Sequence, residues 1–132
     1  MMILRSLMLA AALLNACPSL ADEVRREVVH FAPGSSSSTV KSSVEGYQTV
    51  QYSLSVNAGQ KMSVQLDSRN ASVYFNVTAP GAASAMYNSS INGNGTSFTI
   101  PSSGAYIIDV YLMRNAARRN EKADYNLTLY VE

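Results

Sequence analysis

The chain has 132 residues, with ten Lys and Arg against nine Asp and Glu, and only 14% of its residues are charged. So even a balance excludes the broad basic footprint of a nucleic-acid or polyanion binder, and any electrostatic function must be local. A single Cys and a single His exclude a disulfide framework and leave little with which to build a His-ligated metal site or a Cys nucleophile.

Residues 1–21 read as a signal peptide. Arg5 supplies the positive start, Leu7 to Leu14 (LMLAAALL) is the apolar run, and Ser19-Leu20-Ala21 has the small-x-small form that signal peptidase cuts. The run is shorter than the roughly 20 residues that span a bilayer, and no later stretch is longer, so no membrane span is expected. Leu14-Asn15-Ala16-Cys17 competes as a lipobox that would make Cys17 a lipid anchor, but Asn15 is atypical there, and free export is the favoured reading. Loss of the leader removes Arg5 and the only Cys, leaving nine charges of each sign. Residues 22–132 must then stand as one domain on a hydrophobic core alone, which a chain of this size can build.

After the leader, Val24 to Phe31 and Thr39 to Val44 read as strands separated by a Pro-Gly-Ser turn segment at 33–38. Val50, Tyr52, Leu54 and Val56 then alternate strictly with polar residues, the period of a strand with one buried face. Asn57-Ala58-Gly59-Gln60 ends it. The alternation resumes with Met62, Val64 and Leu66, breaks at Asp67 to Asn70, and resumes again with Val73, Phe75 and Val77. Tyr87 to Gly95 is a loop by composition, and Phe98 and Ile100 precede a Pro-Ser-Ser-Gly turn. Short strands with a turn every eight to twelve residues predict an all-β sandwich or barrel.

The two longest patterns come last: Ala105 to Met113 and Asp124 to Val131, expected to pair as a hairpin. Between them Arg114, Arg118, Arg119 and Lys122 crowd into nine residues opposed only by Glu121. Long connections on a stable sheet are where binding functions tend to sit. The helix-favouring composition around Ala116 and Ala117 predicts about one helical turn, with Arg114 and Arg118, four apart, on one side. Arginine offers a planar fork of donors that matches a carboxylate, so the complement of this cluster is an acidic cleft or an anionic ligand.

The rest of the chemistry is sparse. His30, between Val29 and Phe31, reads as incidental to a strand, Asp109 and Glu45 are isolated carboxylates, and no glycine-rich loop is placed to cradle phosphate. No enzyme, metal or cofactor is expected. Five N-x-[ST] sites, at Asn70, Asn76, Asn88, Asn94 and Asn126, follow from an Asn- and Ser-rich composition, and Asn76 and Asn126 fall within strand patterns. Tyr52, Tyr106 and Tyr125 share phase with core positions. Tyr47, which follows Gly46 at a turn, is instead placed for presentation to solvent, where Tyr suits an interface.

Three stretches, EGYQTVQYSLSVNAGQKMSVQL, ASVYFNVTAPG and SGAYIIDVYLMRNAARRNEKADYNLTLYV, together resemble the periplasmic inhibitors of goose-type lysozyme of Gram-negative bacteria. The resemblance covers nearly all of the chain after the leader. Its most specific element is Arg114-Asn115-Ala116-Ala117-Arg118; the Gly-Tyr pair and the Ala-Gly-Gln turn are weaker, since pre-peptidase C-terminal β-sandwich domains use similar turns. The resemblance implies an antiparallel β-sandwich of about eight strands whose loops occlude the substrate cleft of a goose-type lysozyme. It carries interface roles to Arg114, Arg118 and Tyr47, and Arg119 beside them is a further candidate contact. It also implies a periplasmic location and a protein partner, with self-association as a homodimer left open. A wall-glycan or anionic-polymer binding module of the pre-peptidase type is the alternative, and an assembly partner in the envelope with a merely solvated Arg loop is a third.

Overall fold

The computed structural model describes residues 23–132. The predicted leader, its cleavage site and Cys17 lie outside the described residues. Nine strands follow in chain order: β1 (Val24–Val28), β2 (Ser37–Glu45), β3 (Thr49–Val56), β4 (Lys61–Ser68), β5 (Val73–Thr78), β6 (Tyr87–Asn88), β7 (Gly95–Thr99), β8 (Gly104–Leu112) and β9 (Lys122–Val131). Two single helical turns interrupt them, α1 (Ser89–Asn92) and α2 (Arg114–Arg118).

The strands form two sheets, β1-β3-β8-β5-β6 and β2-β9-β4-β7, and the fold is the expected all-β sandwich. All pairings are antiparallel except that of the edge strand β1, which lies parallel to β3. Because side chains alternate across a strand, the apolar phases read from the sequence are the inner faces. Val50, Tyr52, Leu54 and Val56 of β3, Val73, Phe75 and Val77 of β5, and Tyr106, Ile108, Val110 and Leu112 of β8 all face in from one sheet. Met62, Val64 and Leu66 of β4 meet them with Tyr125, Leu127, Leu129 and Val131 of β9. Between the sheets the Tyr52 and Tyr125 hydroxyls bond each other at 2.6 Å, a polar link from one sheet to the other. Burial, and then the Tyr52 hydroxyl, pushes the Tyr125 phenol well above its ordinary range.

Three expectations are corrected. The last two long strands do not pair as a hairpin: β8 lies between β3 and β5, whereas β9 lies between β2 and β4 in the other sheet. Each has an apolar inner face and a strand on both sides, and the connection between them is long enough to cross the roughly 10 Å separating stacked sheets. The first strand ends at Val28 rather than Phe31, after which Val29 donates to the Ser53 carbonyl and His30 stands exposed beyond the strand. The segment Tyr87 to Gly95 is not plain loop; it holds β6 and α1 and carries the chain from the edge of one sheet to the edge of the other.

Candidate functional site

The crossover between β8 and β9 puts the cationic cluster across one end of the sandwich. Ala116 and Ala117 are buried there and close the core between the sheets, which turns Arg114, Asn115 and Arg118 outward to solvent. The predicted helical turn is present, and the spacing of four places Arg114 and Arg118 on its exposed side. No side chain caps its start.

Its end is held tightly. The Asn120 amide donates to the Ala117 carbonyl at 2.9 Å and the Glu121 amide to the Ala116 carbonyl at 3.1 Å. With Asn120 at φ 55°, this is the Schellman arrangement that satisfies the last carbonyls of a helix. Glycine is the usual left-handed residue in that motif, and Asn is the side chain that tolerates the position best. Here the Asn120 side chain has a second contact: its amide nitrogen reaches the Glu45 carboxylate at 3.4 Å.

That contact brings in the β2–β3 turn. Gly46, at φ 58°, donates its amide to the Glu121 carbonyl at 3.0 Å, and a Cβ on it would stand 2.6 Å from the Asn120 Oδ1. Backbone conformation is what favours glycine there, and a side chain would in addition have to push the Asn120 carboxamide aside. Tyr47 follows directly and is 45% exposed, on the same end of the molecule as Arg114 and Arg118. The β4–β5 loop completes the group. Asn70 Nδ2 donates to Glu121 Oε1 at 3.1 Å, and the Met113 amide, at the start of α2, donates to the Ser72 carbonyl at 2.8 Å.

Glu121, the one acid among the cations, is thus a junction. Besides Asn70 it receives Arg119, whose Nε lies 2.8 Å and Nη2 2.6 Å from Glu121 Oε2. The Arg119 guanidinium, and then the Asn70 amide, hold the Glu121 carboxyl below the usual carboxylate range. Of the sequence-predicted residues, Tyr47, Arg114 and Arg118 are free of such engagement among the described residues, while Arg119 has two of its nitrogens committed within the turn. Lys122 opens β9 opposite Glu45 in register and is exposed.

Sequence reasoning missed Gly46, Asn70 and Asn120. Gly46 and Asn120 each carried a local signal, as residues suited to positive φ, but nothing in their spacing of seventy-odd residues revealed that they meet. Among the described residues no group of His, Cys, Asp and Glu is arranged to hold a metal ion, and no helix is long and apolar enough to cross a membrane.

A two-sheet sandwich that holds a cationic turn rigidly at one end, with an exposed tyrosine beside it, has the form of a protein-binding module. The crystal structure of Aeromonas hydrophila PliG, a periplasmic lysozyme inhibitor of g-type lysozyme, is 36% identical and superposes with a TM-score of 0.79, covering 85% of this chain and 100% of that one. The Salmonella Typhimurium PliG structure is 27% identical at a TM-score of 0.67, covering 82% of this chain and 98% of that one. An inhibitor of g-type lysozyme from Escherichia coli K12 is 28% identical over 108 residues, 79% of each chain. This chain belongs to the family of periplasmic inhibitors of g-type lysozyme. No family model matches it. The pre-peptidase C-terminal domain of a Bacillus anthracis collagenase shares the fold, at 18% identity and a TM-score of 0.56.

Proposed function

We propose that this chain is a periplasmic inhibitor of a goose-type lysozyme, and that it acts without chemistry of its own by occluding the enzyme's substrate cleft. The observation that carries the reading is the pair Arg114 and Arg118, exposed on one side of a turn whose other side is locked into the core. With the backbone of the turn already fixed, only the arginine side chains remain to be ordered on binding, and a guanidinium entering a water-poor cleft pairs strongly with a carboxylate. The cleft of such an enzyme carries at least one essential carboxylic acid. A cation set against it would both fill the space and favour the ionised form, removing the proton that an acid catalyst must supply.

Tyr47 supplies contact area beside the arginines with little entropy to lose. Arg119 contributes the face of its guanidinium not turned toward Glu121 and stiffens the turn at the same time. The family relationship supports the choice of partner and the periplasmic location.

The test is the clearing of a peptidoglycan suspension by goose-type lysozyme, with a hen-type lysozyme as control. Residues 22–132 are expected to slow the goose-type enzyme. The double substitution Arg114→Ala/Arg118→Ala is expected to weaken inhibition by about 100-fold or more, on the scale of interface hot spots, with an unchanged melting temperature because both side chains are solvated. Full activity in large molar excess of the wild-type protein would reject the reading. Co-sedimentation of the protein with peptidoglycan alone would favour a wall-binding module instead.

A further inference from the structure

A five-residue turn and one tyrosine are too small to be a whole interface. A standard protein–protein contact takes about 800 Å² and roughly 20–30 residues from each partner. The docking surface must therefore spread beyond the Arg turn, and the two outer sheet faces next to the turn are very different.

On the β1-β3-β8-β5-β6 sheet, Val24 is the register partner of Thr49, Thr49 of Tyr111, and Tyr111 of Tyr74. These four side chains form one transverse row on the outer face, directly below the Arg turn. The Tyr74 and Tyr111 rings lie 6.5 Å apart, centroid to centroid. The face continues into α1, because Asn88 pairs with Asn76 in register, Ser89 accepts the Phe75 amide at 2.7 Å, and the Tyr111 hydroxyl donates to Asn76 Oδ1 at 3.1 Å beside it. The next residue, Ile91, is 77% exposed. Met113, between Tyr111 and the turn, is 38% exposed. Of the six large hydrophobic residues exposed among the described residues, four (Val24, Tyr47, Ile91 and Met113) sit at this end.

The corresponding part of the other sheet reads differently. Lys41, Asn126 and Asp67 form one row, Ser43 and Asp124 another, and Glu45 faces Lys122; Lys41, Asp67, Lys122 and Asp124 also line an open polar groove. The centres of protein interfaces are depleted in Lys, Glu and Asp and enriched in Tyr, Met and Arg. That contrast decides the direction.

We propose that the lysozyme-docking surface runs from the Arg turn over Met113 onto Tyr111, Tyr74 and Ile91, where it takes an apolar rim of the enzyme's cleft, and leaves the outer face of the β2-β9-β4-β7 sheet in solvent. The proposal rests on the function proposed above. It gives α1 a purpose: Asn88 caps the turn and buried Ser89 ties it to β5, so that Ile91 is displayed on a fixed platform rather than a mobile loop.

The experiment compares two double variants, Ile91→Ser/Tyr74→Ser and Lys41→Ser/Asp67→Ser, for affinity to goose-type lysozyme by calorimetry or surface binding, with melting temperatures alongside. The first is expected to weaken binding by about 10-fold or more, mainly through faster dissociation, and the second to stay within about 2-fold. Ile91→Ser alone, at a side chain that supports no packing, is expected to weaken binding severalfold at an unchanged melting temperature. Equal binding by Ile91→Ser and wild type, or a larger loss from the Lys41/Asp67 variant, overturns the proposal while the inhibitor reading stands. Failure of the wild-type protein itself to bind the enzyme overturns both, and is distinguished because it involves no variant.

Discussion

The two single-turn helices at the end of the sandwich that carries Arg114 and Arg118 differ in what holds them. α1 is specified locally: the Asn88 side chain accepts the Ser90 amide at 3.0 Å, Gly93 at φ 97° ends the turn, and its amide returns to the Ser89 carbonyl at 2.9 Å. α2 has no side-chain cap at its start; its end is closed by its own Schellman bonds, but its placement depends on residues far away in the chain, through Gly46 on Glu121, Asn70 on Glu121 and Ser72 on Met113. A short turn with its own caps keeps its shape when its surroundings change. One positioned by three loops holds its arginines in place only as long as those loops stay together, which the proposed inhibitory role would require.

The strongest way to break the comparison is Gly46→Ala. Ala is strained at positive φ and the added Cβ must push the Asn120 carboxamide off its contact with Glu45, so a loss of about 1–3 kcal/mol is expected, with weaker lysozyme inhibition as α2 loses support. Differential scanning calorimetry together with the clearing assay reads both effects. A full-strength inhibitor with an unchanged melting temperature would show that α2 is autonomous after all.

Ser89→Ala tests the other helix. It leaves the Phe75 amide without its acceptor in a buried place, at a cost of about 1–2 kcal/mol, and loosens Ile91 without touching Arg114 or Arg118. Binding to lysozyme is expected to weaken less than in the Gly46 variant for the same loss of stability. Amide hydrogen exchange should locate the loosening at β5 and α1 only.

The smallest effect is expected from Glu121→Gln, which removes the charge that Arg119 and Asn70 share. Because the folded carboxyl titrates below its ordinary range, its contribution is complete above the ordinary carboxylate pKa of about 4.3 and is lost as pH falls through the depressed folded value. The melting temperatures of wild type and variant should therefore differ slightly at neutral pH, as for an exposed ion pair, and converge in acid. A difference that persists at the lowest pH would mean that the carboxylate's charge is not what holds the turn.

Much of this protein was legible beforehand. The alternation from Val50 to Val56, Met62 to Leu66, Val73 to Val77 and Tyr125 to Val131 identified inner faces without any pairing information, and the helix-favouring residues around Ala116 marked the turn that bears Arg114 and Arg118. Those features are short-range: a two-residue period selects a face, and a spacing of four selects a side of a helix. Only the tertiary structure decided that β8 and β9 part into different sheets, that the Arg turn consequently bridges them, and that Gly46, Asn70 and Asn120 support it. The physical reason is that periodicity states which side chains must leave water but not which strand will cover them. Gly46 and Asn120 meet through a close approach across 74 positions of chain, for which no local pattern exists.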